Sequence, residues 1–151
     1  MATATQIRSY SYDANQVLKD AGLVAASAAA QVASADKILN VGEAFYTGVL
    51  VADVSAIEIA SNNEAYTICV QGSTSATFAS DIQNLAVLPL GATEVNPGGA
   101  IDSTTGRYEL PFTNEQNGVT YPYIRVYTVV AGTIATGINY AAWVGLDRLP
   151  R

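Results

Sequence analysis

The sequence predicts an all-β protein: an antiparallel β-sandwich or jelly roll with an extended N-terminal arm. Three observations carry this. Short apolar runs, several of them alternating, recur along most of the chain. Clusters of Gly, Asn, Ser and Pro ("SNNE", "QGSTS", "NPGGA", "NEQNG") separate them. No helix of ten or more residues is needed after Val41. At 151 residues one domain is expected, because single domains commonly run about 100–200 residues. The boundaries read as an arm over 1–21 and one β-sandwich domain over 22–151.

The arm is polar, with Arg8, Tyr10 and Tyr12 as its candidate contact residues. In the next stretch, "AGLVAASAAAQVASADKILNVG", propensity and context disagree. Alanine is the best helix former, yet Ser27, Val32 and Ser34 interrupt the run and the chain around it is β-patterned. Helix and extended strand both stay open there. From Phe45 the pattern clears: Val49, Val51 and Asp53 alternate with Leu50, Ala52 and Val54, and Ala65, Thr67 and Cys69 with Tyr66, Ile68 and Val70. "NLAVLPLG", "GRYELPF" and "YIRVYTVV" add further short strands.

The stretch "RVYTVVAGTIATGINYAAWVGLD" reads as a closing β-hairpin. Ile124, Val126, Thr128 and Val130 share one face of its first strand, with Tyr123, Arg125, Tyr127 and Val129 on the other. On the return strand Ile138, Tyr140, Ala142, Val144 and Leu146 oppose Asn139, Ala141, Trp143, Gly145 and Asp147. The mixed face bearing Tyr123, Arg125, Tyr127 and Trp143 is expected at a rim or interface. Tyrosine is enriched at such surfaces, and Tyr46, Tyr66, Tyr108, Tyr121, Tyr123, Tyr127 and Tyr140 are each either contact or core residues.

Composition bounds the chemistry. Thirteen acids against seven bases leave a net charge of −6, and the bases are scattered without a basic patch. Direct nucleic-acid binding, which places Lys and Arg on phosphates, is therefore not expected. The start lacks a basic then apolar signal pattern, and no apolar run reaches the ~18 residues of a membrane helix, so no membrane partner is expected. Charged residues make up 13% of the chain, about half the usual ~25%. With no histidine and one cysteine, Ser–His–Asp and Cys–His sites and a zinc centre are excluded. "NPGGA" lacks the spacing of a phosphate loop. Cys69 reads as a buried, inert thiol. The acids Asp53, Glu58 and Glu109 read as outward charges on strands, while Asp81 and Asp102 sit in turns where short acids bind local amides. No enzyme, cofactor or metal is expected.

With "GRYELPF" before it, "YIRVYTVVAGTIATGINYAAWVGLD" resembles the C-terminal half of the capsid cement (decoration) proteins of tailed bacteriophages. The carriers are Tyr123, Arg125, Val126, Tyr127, Val130, Ala131, Gly132 and Thr133, then Leu146, Asp147 and Arg148. "KILNVGEAFYTGVLVADVS" is similar in kind, so the resemblance runs from Asp36 to Arg148. It implies a jelly roll on the outer surface of the virion, extended rather than helical over the alanine segment, and bound to the major capsid protein. It also implies self-association as a homo-oligomer, a dimer being the simplest closed symmetry and a trimer the alternative. The rival expectation is a carbohydrate- or receptor-binding β-sandwich of a virion, using Tyr123, Tyr127 and Trp143 as one aromatic row.

Overall fold

The computed structural model describes residues 12–96 and 100–145. Among them there is no α-helix, only a 3-10 turn at Ala14–Gln16. Six short strands come first: β1 (Val17–Lys19), β2 (Leu23–Val24), β3 (Ala28–Ala29), β4 (Gln31–Val32), β5 (Ala35–Asp36) and β6 (Leu39–Asn40). Then follow β7 (Thr47–Ile57), β8 (Ala65–Ser73), β9 (Gln83–Gly91), β10 (Gly106–Thr113), a small pair β11 (Glu115–Gln116) and β12 (Val119–Thr120), β13 (Tyr123–Ala131) and β14 (Ile138–Gly145). Ten of them make two five-stranded antiparallel sheets, and β4 with β5 and β11 with β12 form two separate pairs. Sheet I has the order β1-β14-β7-β10, with β2 also on β14. Sheet II has the order β3-β13-β8-β9, with β6 also on β13.

The alternation read from the sequence gives the inner faces. Leu50, Ala52 and Val54 from β7, with Tyr140, Ala142 and Val144 from β14, meet Tyr66, Ile68 and Val70 from β8 and Ile124 and Val126 from β13 in one cluster. Each large aliphatic side chain sealed this way stabilises by about 1.5–3 kcal/mol. The inner polar pair, Thr128 and Tyr140, satisfies itself across the gap by a hydroxyl–hydroxyl hydrogen bond. Tyr66 and Tyr140 are therefore core residues, each 0% exposed.

The expected closing hairpin is corrected. β13 pairs with β8, β3 and β6, whereas β14 pairs with β7, β1 and β2. The two strands lie in opposite sheets, and Gly132 to Gly137 carry the chain across the sandwich. Alternation shows which side chains of each strand turn inward. It does not show which strand lies beside it.

The alanine segment is extended, in strands β2 to β6. Main-chain bonds between strands decide this: the Ala30 amide donates to the distant Val126 carbonyl at 2.9 Å, and the Lys37 amide to the Ala30 carbonyl at 3.0 Å. Ala33 and Ser34, at φ 52° and 64°, make the tight turn between β4 and β5. The sheet also begins inside the stretch read as an arm. Val17–Lys19 forms β1 on β14, and Leu18 is 0% exposed in the core.

Lys19 locks this edge. Its side chain is buried, and Nζ donates to the carbonyls of Asp20 (2.9 Å), Gly22 (3.0 Å) and Tyr140 (2.9 Å), 4.6 Å from the Tyr140 ring centroid. Three donors meet three acceptors. Lys19→Met, which keeps the bulk but strands those carbonyls, is expected to lower unfolding stability by about 2–3 kcal/mol. A urea titration with an unchanged m-value checks it.

Candidate functional site

The two outer faces differ in what lies over them. On sheet I, Val49 and Val51 are 1% and 0% exposed although they point away from the core. With Val17 and Trp143 they form a second apolar cluster, against which Val32 packs. Tyr12 sets its ring edge on Trp143 with centroids 5.6 Å apart. Arg107 lies 5.2 Å from the Trp143 ring and holds Asp53 with two bonds of 2.8 and 3.0 Å. The N-terminal lead-in and the β4–β5 turn thus roof this face.

Among the described residues sheet II has no such roof beyond the β8–β9 loop, which sets Phe78 against Arg125. By register its outer face carries Tyr123, Arg125, Tyr127 and Val129 from β13, Thr67, Cys69 and Gln71 from β8, and Asn84, Val87 and Pro89 from β9. Arg125 is the one charged residue among these strand positions. Val87 and Val129 are 49% and 42% exposed. The guanidinium of Arg125 stacks on Phe78 at 4.3 Å and lies 5.3 Å from the Tyr127 ring, while its Nε donates to Gln71 Oε1 at 2.9 Å. Aromatic and arginine anchors in a low-charge setting are the usual makings of a protein-binding hot spot.

The sheet edges are less able to recruit a partner. Gly91 donates its amide to Ser103 Oγ and accepts from the Ser103 amide, both at 3.0 Å, so both its groups face away from β8. Two residues earlier Pro89 faces the same way without an N–H, and a bulge interrupts the pairing near Gln71. On the other sheet, edge strand β10 carries Arg107, Glu109 and Pro111. Prolines, bulges and charges blunt edges against strand addition.

The contact residues read from the sequence are therefore divided. Tyr123, Arg125 and Tyr127 come together on sheet II. Trp143 lies on the roofed face of sheet I beside Tyr12, so the aromatic row of Tyr123, Tyr127 and Trp143 does not form. The hairpin misreading is the reason, since it put β13 and β14 side by side. Arg8 and Tyr10 lie outside the described residues, as do Leu146, Asp147 and Arg148. Phe78, which braces Arg125, carried no sequence signal beyond being an aromatic in a turn-rich loop.

Among the described residues, Asp53, Asp102, Glu58 and Glu64 are each held by partners of their own. Asp53 is paired with Arg107 on sheet I, and Asp102 accepts from the Thr93 amide at 2.9 Å. Glu58, read as an outward charge, is instead a main-chain anchor. Its carboxylate accepts from the amides of Ala135 (3.1 Å), Thr136 (2.6 Å) and Gly137 (2.7 Å) in the β13–β14 crossover. Glu64, missed in the sequence and 0% exposed, accepts from the amides of Ser61 (2.6 Å) and Asn63 (3.0 Å). Cys69 is buried, as read, though on the outer side of sheet II, and burial pushes its thiol pKa up. Among the described residues no group of three or more His, Cys, Asp or Glu is placed to hold a metal. A hollow of about 510 Å³ runs along the alanine-rich strands, with Lys19 and Asp20 in its wall. Lys19 is spent on carbonyls and Asp20 accepts from the Ala33 amide at 2.7 Å.

Compared with protein-family models and with curated proteins, the chain matches none.

The amides of Thr136 and Gly137 hold the Glu58 carboxyl below its ordinary value of 4.5. A carboxylate with a depressed folded-state pKa contributes stability that is complete above its unfolded pKa and lost as pH falls through the folded one. Glu58→Gln is expected to lower the unfolding midpoint at neutral pH and to flatten the fall in stability below about pH 4.5. Denaturation series at pH 7 and pH 3 measure both effects.

Proposed function

We propose that this chain is a capsid decoration protein of a tailed bacteriophage: a jelly-roll-type sandwich that binds the outside of the head and bridges neighbouring major capsid proteins. The observation that carries the reading is the contrast between the outer faces, one roofed by the chain itself and the other, among the described residues, left open around a stacked arginine. A face of that kind suits binding without turnover, in line with a chain that has no histidine and in which Asp53, Glu58, Glu64 and Asp102 are tied to Arg107 or to main chain.

A DNA-filled head is loaded outward, and its weak points are the contacts between capsomers. A subunit touching two capsid proteins stabilises the shell while both stay in register. Joining several weak contacts in one homo-oligomer raises avidity by roughly 10²–10⁴, which favours an oligomer over a single copy. The net charge of −6 disfavours contact with the packaged DNA.

Purified protein mixed with undecorated heads of the phage that encodes it is expected to co-sediment with them and to raise the temperature at which DNA is released on heating. Absence of binding, or binding with no rise in that temperature, defeats the proposal.

A further inference from the structure

Phe78 occupies a backbone region that few large residues adopt. Its φ is +55°, where a bulky side chain costs about 1–3 kcal/mol unless its surroundings impose the conformation. The β8–β9 loop imposes it. Ser73 Oγ donates to the Ser80 carbonyl at 2.7 Å and accepts from the Ser75 amide at 2.9 Å, and the Phe78 amide donates to the Ser75 carbonyl at 3.1 Å. The product of that strain is a ring, only 6% exposed, set against the guanidinium of Arg125.

The guanidinium is fixed from other sides as well. Gln71 receives its Nε, and Gln71 Nε2 donates in turn to Asn84 Oδ1 at 3.0 Å. A guanidinium has five N–H donors. One is used here, and the four on the Nη atoms meet no acceptor among the described residues. Asp36, the acid whose field reaches Arg125, accepts from Gln31 Nε2 at 3.0 Å. A rigid, partly desolvated fork is thus left with its paired donors unspent, on a face with no other charge on its strands.

The geometry points to Arg125 as the receptor for a single carboxylate, an Asp or Glu side chain of a protein partner laid across sheet II, bound by both Nη groups. The inference rests on the decoration reading, in which that partner is the major capsid protein. Charge complementarity selects the occupant. The one cation on the strands of this face matches one anion inside an apolar contact. A nucleic acid presents a row of phosphates and calls for several cations. A second copy meeting this face symmetrically would set two Arg125-bearing surfaces together, with no acid on the strands of either. Arginine suits the task because its planar fork binds a carboxylate bidentately, which a lysine ammonium does not.

The experiment compares wild type with Arg125→Ala, Arg125→Lys and, on the opposite face, Arg107→Ala in co-sedimentation with undecorated heads. Sedimentation velocity of each protein alone runs alongside. So does binding to arrayed ten-residue peptides bearing a central Glu or, in a matched set, a central Gln. Both Arg125 variants are expected to bind heads about 30-fold more weakly while still unfolding cooperatively well above the assay temperature, Arg107→Ala to bind as wild type, and Glu peptides to be preferred over Gln. Head binding by Arg125→Ala equal to wild type overturns the inference. So does a wild-type dimer that Arg125→Ala dissolves, since the face then belongs to a second copy. Wild type that ignores heads yet selects Glu peptides sinks the decoration reading and leaves the carboxylate receptor standing; wild type that does neither sinks both.

Discussion

The crossover from β13 to β14 hangs on one carboxylate. A strand leaving sheet II has to travel about 10 Å to reach sheet I, and main-chain amides in such a connection have no ladder to join. Glu58, at the end of β7, takes three of them in succession: Ala135, Thr136 and Gly137. Asn63 adds a second clasp, accepting from the Thr133 amide at 2.9 Å and donating to its hydroxyl at 3.1 Å. The glycines at either end are required by geometry. Gly132 and Gly137 have φ of +100° and +99°, and a Cβ there would strike the carbonyl oxygens of Asn63 and Val24. With the crossover held in this way, β13 completes one half of the core and β14 the other.

Everything about the surface follows from that split. Two sheets have four faces, and the inner pair seal each other. The outer side of sheet I carries valines and a tryptophan, and the N-terminal lead-in with Val32 covers them. Sheet II receives no equivalent cover from the strands beside it, because the short strands β3 and β6 extend β13 at its edge and do not pass over its face. Its exposed strand positions are accordingly neutral and mildly apolar, with Arg125 secured on Phe78 and Gln71. Bulges, prolines and charges at the long edge strands direct association towards a face instead of an edge. The decoration reading and the carboxylate receptor both draw on this asymmetry.

How much of this was legible in the sequence depends on the range of the interaction. In-and-out alternation on β7, β8, β13 and β14 could be read residue by residue, because successive side chains in any strand point to opposite sides. The shared face of Tyr123, Arg125 and Tyr127 came from the same rule, whereas the burial of Cys69 was read from its residue type. The exposed reading of Glu58 failed because amides 77 to 79 residues away capture its carboxylate. The alanine run stayed ambiguous for a similar reason: its local preference is helical, and strand partners near Val126 and Tyr127 overrule it.

By itself, then, the sequence determined an all-β chain with apolar inner faces, low charge and none of the histidine-dependent chemistries, all of them properties of composition or of period-two spacing. Only the tertiary structure decided that the last two long strands lie in different sheets. It also decided that Trp143 is roofed while Arg125 is not, and that Phe78 braces the arginine. Those facts depend on contacts between residues distant in the chain, and no local periodicity encodes them.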